Sequence, residues 1–209
     1  MIFQPTAGHF AETIKGPWET AERTEYRLEI LYFCKTIHVA GQMSCDEDWP
    51  DNLDFRVRAP AEQWFPDEKG ILVHAGFLRQ YKAVRNILLD AAYQYRNYAI
   101  RVDGFSLGAA WPQIFMQDVL FHFPERDIKA ILYAPGNPWR KLPRKYQQAL
   151  KERTVFVRSV WDIVTWMRAL RFYRYGKHLT VGKPWRFWPM QHLPDQITRG
   201  LKELERKGK

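Results

Sequence analysis

The sequence is poor in cysteine and has no long apolar run. Its 209 residues include two cysteines, Cys34 and Cys45, too few for a disulfide framework, and their spacing fits no structural zinc site. No apolar stretch approaches the roughly 20 residues that cross a bilayer, and the N-terminus lacks the pattern of a signal peptide. We therefore expect two free thiols and a cytoplasmic protein, with export by another route as the alternative.

Acidic residues are fewer than basic residues. The chain has 32 Lys and Arg against 23 Asp and Glu, for a net charge of +9. Such a surplus attracts anionic partners, so peripheral contact with an anionic membrane is predicted. The basic residues are spread along the chain, and their densest run, residues 199–209, is typical of a solvated helix end. Binding to nucleic acid is therefore not predicted.

The composition is that of a globular protein, with 46% hydrophobic and 26% charged residues. This length suits one well-buried domain, so we predict a single domain over residues 1–209. Residues 1–25 carry weak periodic signals and contain the turn pair Gly16-Pro17, which predicts an irregular N-terminal lead-in.

Beyond the lead-in, apolar strand patterns alternate with helical spacing. Residues 26–34 fit either a strand or a helix. The alternation predicts an α/β fold in which a mostly parallel sheet carries helices on both faces, and functional groups gather at the carboxyl ends of the strands. Strands are predicted at 36–42, 71–74, 98–102, 128–133 and 154–157, and helices at 77–93, 111–121 and 143–153.

One glycine-rich stretch carries a chemical signature. Val102 to Ala110 reads V-D-G-F-S-L-G-A-A, a G-x-S-x-G pattern between a predicted strand and a predicted helix. A strand–turn–helix of this kind places the serine, Ser106, at the carboxyl end of the strand. The following backbone N–H, that of Leu107, lies at a helix N-terminus, where an oxyanion is stabilised.

A serine hydroxyl is inert without a base. In this architecture the acid and the base follow the serine in the order Asp, His. Asp162 comes just after the predicted strand 154–157, which places its carboxylate at the same sheet edge as Ser106. Both His178 and His192 lie beyond Asp162 in the sequence. The irregular segment before His192 is longer, and a helix-starting pattern follows it. From spacing alone, either histidine could be the base.

Together these motifs resemble those of the class 3 lipase family of α/β-hydrolases, over about residues 36–201. The two strongest matches are G-F-S-L-G-A-A at 104–110 and V-H-A-G-F at 73–77. Weaker matches follow the family's order: D-W-x-x-N-L at 48–53, G-N-P at 136–138, W-D-I-V at 161–164 and H-x-x-x-x-I at 192–197.

The resemblance implies roles for individual residues. Ser106 would be the nucleophile, Asp162 the orienting acid and His192 the general base, whereas His178 matches a histidine that is structural in the family. Where the family has F-x-G-T or F-x-G-S, this chain has G-Q-M-S at 41–44. Ser44 is therefore the candidate second oxyanion donor beside Leu107, and the glycine that normally precedes it is missing.

The sequence as a whole predicts a serine carboxylic ester hydrolase that acts through an acyl-enzyme on a small-molecule or lipid ester, without metal or organic cofactor. Because segment 45–53 is acidic and broken by Pro50, a mobile interfacial lid is not expected. The alternatives are a non-catalytic binding protein with a basic aromatic surface, and an acyltransferase or thioesterase with the same triad. Candidate substrate-binding residues are Trp49, Phe105, Trp161, Trp185 and Trp188.

Overall fold

The computed structural model of the protein describes residues 4–42, 54–60, 64, 70–160, 162, 171–182 and 194–207. The described helices are α1 (Ala7–Thr13), α2 (Ala75–Gln94), α3 (Trp111–His122), α4 (Arg144–Arg153) and α5 (Pro194–Lys207). The described strands are β1 (Glu19–Ala21), β2 (Thr24–Leu31), β3 (Thr36–Gly41), β4 (Val57–Arg58), β5 (Leu72–His74), β6 (Ala99–Phe105), β7 (Ile128–Tyr133), β8 (Trp139–Lys141), β9 (Thr154–Ser159) and β10 (Lys177–Val181).

The main sheet has seven strands in the order β1-β2-β3-β6-β7-β9-β10. From β3 to β10 all neighbours are parallel, whereas β1 and β2 form an antiparallel edge. A smaller antiparallel sheet pairs β4, β5 and β8. The mostly parallel sheet with helices on both faces confirms the predicted α/β class, and the carboxyl ends of β3, β6, β7 and β9 meet at one edge.

Helices cover both faces of the main sheet because its central strands are apolar on both sides. On β6, Ile100 and Val102 point into a large core cluster with residues of α2, α3 and α4. Phe105 points to the other face, where it joins a smaller cluster that includes Phe10 of α1 and Ile197 of α5. Among the described helices, none has an apolar stretch of the length needed to cross a bilayer.

Most predicted elements are confirmed within a few residues of their ends. The ambiguous residues 26–34 lie mainly in strand β2, whose pairing with β3 rules out the helical alternative. The prediction of an irregular lead-in at 1–25 is wrong in part, because α1 and β1 lie within it. With only seven residues, α1 is too short to show a clear period; it is capped by the Thr6 hydroxyl and held by fully buried Phe10.

The serine turn packs directly on backbone. A Cβ atom built on Gly104 would lie 2.0 Å from the Gly108 carbonyl oxygen, and one built on Gly108 would lie 2.0 Å from the Gln42 carbonyl oxygen. Backbone cannot swing aside as a flexible side chain can. The turn therefore depends on glycine at these positions for its close approach to the end of β3.

We expect Gly104→Ala to destabilise the fold by about 3 kcal/mol or more, since the added methyl group must displace backbone. The control is Gly8→Ala in α1, where the nearest atom to the new Cβ is 3.9 Å away and alanine favours the helix by roughly 0.5–1 kcal/mol. Urea unfolding of both variants measures the difference. Equal stability of the two variants would show that the turn tolerates side chains.

Candidate active site

Ser106 occupies the turn between β6 and α3. Its φ of 58° lies in the left-handed region, which costs a non-glycine residue roughly 1–2 kcal/mol. One turn of 3-10 helix, Ser106–Ala109, leads into α3, which has Pro112 in its first turn. Only 8% of Ser106 is exposed. The predicted strand–turn–helix around the serine is therefore present, and the packing of the turn holds its strained backbone.

A loop after β7, residues 134–138, ties this turn to its neighbours. The Gln113 side-chain amide donates to the carbonyl oxygens of Ala109 at 2.9 Å and Gly136 at 3.1 Å. The Asn137 side chain donates to the Phe172 carbonyl at 3.3 Å, and the His74 backbone N–H donates to the Pro138 carbonyl at 2.9 Å. The G-N-P motif thus connects the serine turn with the start of α2.

Asp162 lies just beyond the carboxyl end of β9 and is fully buried. Its backbone N–H donates to the Ser159 carbonyl oxygen at 3.4 Å, which turns the chain at the strand end. β7 alone separates β6 from β9, so the two strands lie about 10 Å apart. Ser106 and Asp162 therefore follow near-neighbour strands at the same edge of the sheet, as predicted from their positions.

His178 lies away from the edge that carries Ser106 and Asp162. It is an exposed residue of β10 and pairs in register with Phe156 of β9, in the row that also contains Gly104 and Leu132. That row is three strand spacings wide, about 14 Å, and it lies below the turn that carries Ser106. Its position in a regular strand fixes His178 away from the serine, and its ring lies 5.3 Å from that of Phe156.

The remaining site predictions divide into two groups. Leu107 follows Ser106 in the 3-10 turn and is buried. Phe105 is 1% exposed, and its ring lies 5.4 Å from that of Phe10 on the α1 face; in the described structure it is a core residue and offers no surface to a substrate. Six predicted residues lie outside the described part of the chain: Ser44, Trp49, Trp161, Trp185, Trp188 and His192.

His74 is a functional-site neighbour that sequence reasoning left without a role. Its ring stacks on Phe77 at 4.1 Å and also contacts Phe55 and Phe172. Among the described residues, neither ring nitrogen has a hydrogen-bond partner. Burial in this aromatic cage lowers the pKa of His74 to about 4, and the Asp54 carboxylate only partly opposes the shift. The ring is therefore neutral at pH 7.

The sequence analysis also gave no role to Asp103, which lies in β6 three positions before Ser106. Its side chain is on the α1 face of the sheet, the face that also carries Phe105. Its carboxylate lies 2.5 Å from Nε2 of His38 and 3.2 Å from Nε2 of His9 in α1. Burial by itself would raise the pKa of Asp103, but the two histidines outweigh it and hold the pKa below its usual range. Asp103 thus ties α1 and β3 to the strand that carries Ser106.

The partners of this carboxylate are held in turn. His38 Nδ1 lies 2.9 Å from Glu29, and His9 Nδ1 lies 2.7 Å from the Tyr133 hydroxyl. Burial lowers the pKa of His38, yet its bonds to Asp103 and Glu29 leave the pKa above the ordinary value. Within the described ranges, no group of three His, Cys, Asp or Glu side chains is arranged to hold a metal ion.

A family profile described as Lipase (class 3) matches residues 40–172, more than half of the chain. The chain belongs to the class 3 lipase family. The matched range contains the serine turn, the V-H-A-G-F and G-N-P segments and Asp162, four of the features that resembled the family. No curated protein matches the chain in sequence.

Solved lipase structures share its fold. The Rhizomucor miehei lipase in a propeptide complex superposes with a TM-score of 0.60 at 21% identity, covering 81% of this chain and 56% of that one. A triacylglycerol lipase from Penicillium expansum gives 0.61 at 18% identity, covering 81% and 69%. A triacylglycerol lipase described as having a serine protease triad gives 0.62 at 21%, covering 81% and 66%. The chain thus spans little more than half the length of the Rhizomucor miehei lipase.

The buried His74 predicts that the protein loses stability in acid. Because its folded pKa lies below the unfolded value of about 6.5, the unfolded chain binds the proton more readily, so stability is present above pH 6.5 and falls as pH drops toward 4. The loss between pH 7 and pH 4 is about 2–3 kcal/mol. We expect His74→Leu to remove this part of the slope in urea titrations at several pH values.

The matched control is Phe77→Leu, which removes the stacking partner and keeps the titratable ring. That variant should be less stable at every pH and should still lose stability toward pH 4, because the imidazole remains. Parallel curves for the wild type and His74→Leu would show that the buried ring does not titrate as its surroundings imply.

Proposed function

We propose that the chain is a serine carboxylic ester hydrolase. The observation that carries the proposal is the pair formed by Ser106, in a strained turn at the end of β6, and Asp162, fully buried beyond β9 at the same edge. Family membership supports it, as does a neighbouring fold whose catalytic centre is described as a serine protease triad.

In this proposal His192 is the general base. It takes the Ser106 proton as the oxygen attacks the ester carbonyl, and returns that proton to the leaving alcohol as the tetrahedral intermediate collapses. Asp162 fixes the imidazole tautomer and stabilises the imidazolium. Water then repeats the sequence on the acyl-enzyme. The position of His178 in β10 supports this choice, because a histidine about 14 Å across the sheet cannot reach the serine hydroxyl.

The oxyanion is stabilised by backbone donors in the same proposal. The Leu107 N–H lies in the first turn after Ser106, where N–H groups have no partner within the helix. Ser44 follows the end of β3, the strand that packs against the serine turn, and supplies the second donor. Each donor is expected to lower the barrier by about 3 kcal/mol. The close approach of Gly41 to Gly108 supports the pairing of these two segments.

For the substrate we propose a soluble short- or medium-chain ester. Trp49, Trp161, Trp185 and Trp188 are the proposed walls of the acyl pocket, whereas Phe105 is left out because it packs in the core. An acidic 45–53 segment interrupted by Pro50 offers little apolar surface to exchange for lipid, so no interfacial opening step is included. A p-nitrophenyl ester series of increasing chain length measures this preference.

Ser106→Ala should lower kcat for p-nitrophenyl esters by at least about a thousandfold, because no other group can form the acyl-enzyme. Its melting temperature should stay near that of the wild type, since the change removes one oxygen from the turn. Thr20→Ala, which removes an exposed hydroxyl from β1, is the control and should keep full activity. Appreciable turnover by purified Ser106→Ala would refute the nucleophile assignment.

Replacement of His192 and replacement of His178 should have different effects. His192→Ala is expected to lower kcat by several orders of magnitude with little change in melting temperature, because it removes the base. His178→Ala should leave kcat close to the wild-type value and change only stability, through its contact with Phe156. Kinetics and thermal melts of both variants give the comparison. A large loss of kcat in His178→Ala alone would move the base to that residue.

A further inference from the structure

The turn between β2 and β3 presents apolar side chains to solvent. Phe33 is fully exposed, Tyr32 is 64% exposed and Leu31 is 42% exposed. Cys34, in the same turn, is an exposed free thiol. An isolated exposed leucine needs no explanation, but three consecutive large apolar residues at a hairpin tip form a contact surface. We call residues 31–35 the hairpin tip.

The hairpin tip is held in place from behind. The Tyr32 hydroxyl lies 3.0 Å from that of Tyr95 at the end of α2, and its ring lies 5.9 Å from Tyr95 and 6.4 Å from Tyr98. Lys35, with a φ of 47°, closes the turn with an N–H bond to the Tyr32 carbonyl. Phe33 is therefore displayed by a fixed turn, which lowers the entropic cost of inserting it into a partner.

Cations line the sheet edge to which the hairpin tip belongs. Each of the five parallel strands has a basic residue at its start or within the three positions before it. Arg126 is buried, with its guanidinium bound to the Tyr95 and Arg96 carbonyl oxygens. The others are exposed or partly exposed. In strand order these residues are Lys35, Arg96, Arg126, Arg153 and Lys177.

Two acidic residues at this edge pair with arginines, and one of those arginines is Arg153 itself. Asp127 is bound by Arg101 at 2.8 Å, and Glu152 lies 3.8 Å from Arg153. A shallow cavity of about 540 Å³ lies beside the tip, and Lys35, Arg96, Tyr98 and Glu125 are among the residues that line it. Near β3 and β6, this edge therefore presents both exposed cations and exposed aromatic rings. We call this surface, formed by the hairpin tip with Arg96 and Lys177, the amino-edge surface.

We propose that the amino-edge surface docks the protein on anionic phospholipid bilayers. Phe33 and Leu31 would enter the interfacial region, and Lys35 and Arg96 would contact lipid headgroups. The cations extend along four strand spacings, about 19 Å, well beyond the cavity that Lys35 and Arg96 line. That spacing matches a planar charged surface better than it matches a single acidic side-chain cluster.

This docking fixes which way the catalytic edge faces. Ser106 follows the far end of β6, and a seven-residue strand is about 20 Å long. A bilayer at the amino edge therefore lies at the opposite end of β6 from Ser106. The proposal does not depend on ester hydrolysis, but if both hold, the docked enzyme takes its substrate from solution and not from the lipid beneath it.

Sedimentation with vesicles tests the docking. The full chain should bind phosphatidylserine-containing vesicles and not pure phosphatidylcholine vesicles, with binding reduced by salt. Phe33→Ser should weaken binding roughly tenfold, and Lys35→Glu with Arg96→Glu roughly 25-fold or more. Matched controls are Ile87→Ser, an exposed apolar residue on α2, and Arg23→Glu in the β1–β2 turn; both should bind like the wild type.

Cys34 provides a direct readout at the tip. An environment-sensitive dye on Cys34, in a Cys45→Ser background, should shift to the blue with anionic vesicles. The proposal would be overturned if Phe33→Ser bound anionic vesicles as tightly as the wild type. It would also be overturned if Arg23→Glu weakened binding as much as Lys35→Glu with Arg96→Glu. A blue shift that appears without vesicles as protein concentration rises would overturn it too, because a second copy would then cover the tip. Absence of esterase activity alone would leave these binding results unaffected.

Discussion

The backbone of Ser106 is the constraint on which the rest of the structure depends. A residue with a side chain is held in the left-handed region at the end of β6, and the cost of roughly 1–2 kcal/mol must be met by its surroundings. Close backbone packing between Gly41, Gly104 and Gly108 meets it. Because no side chain intervenes, the end of β3, the serine turn and the start of α3 are positioned as one unit.

Both faces of β6 reinforce this unit by different means. On the α2 and α3 face the contacts are apolar, and the Gln113 amide fastens the turn to the loop after β7. On the α1 face a buried carboxylate, Asp103, is held by two histidines from separate elements. Removal of either partner of such a buried polar group is costly, so α1 is bound firmly beside the strand that carries Ser106.

Local pattern was enough to predict the central strands β3, β6, β7 and β9 and the serine turn. The parallel strands are apolar on both faces, and the G-x-S-x-G spacing has few structural solutions, so these features follow from nearby residues. α1 was missed because seven residues give no clear period, and its stability comes from Phe10 and His9 contacts with distant parts of the chain. Phe105 was misplaced because a strand alternates faces, and sequence does not say which face carries the substrate.

The central claim is that Ser106 is an activated nucleophile, and covalent labelling with a fluorophosphonate tests it most directly. Such a probe reacts with a serine only when a base and an oxyanion site act on it. Mass spectrometry of the digested protein should find one phosphonylated peptide, the one containing Ser106, and His192→Ala should abolish the modification. An unmodified chain after prolonged exposure of the folded protein, or a label on another residue, would contradict the account.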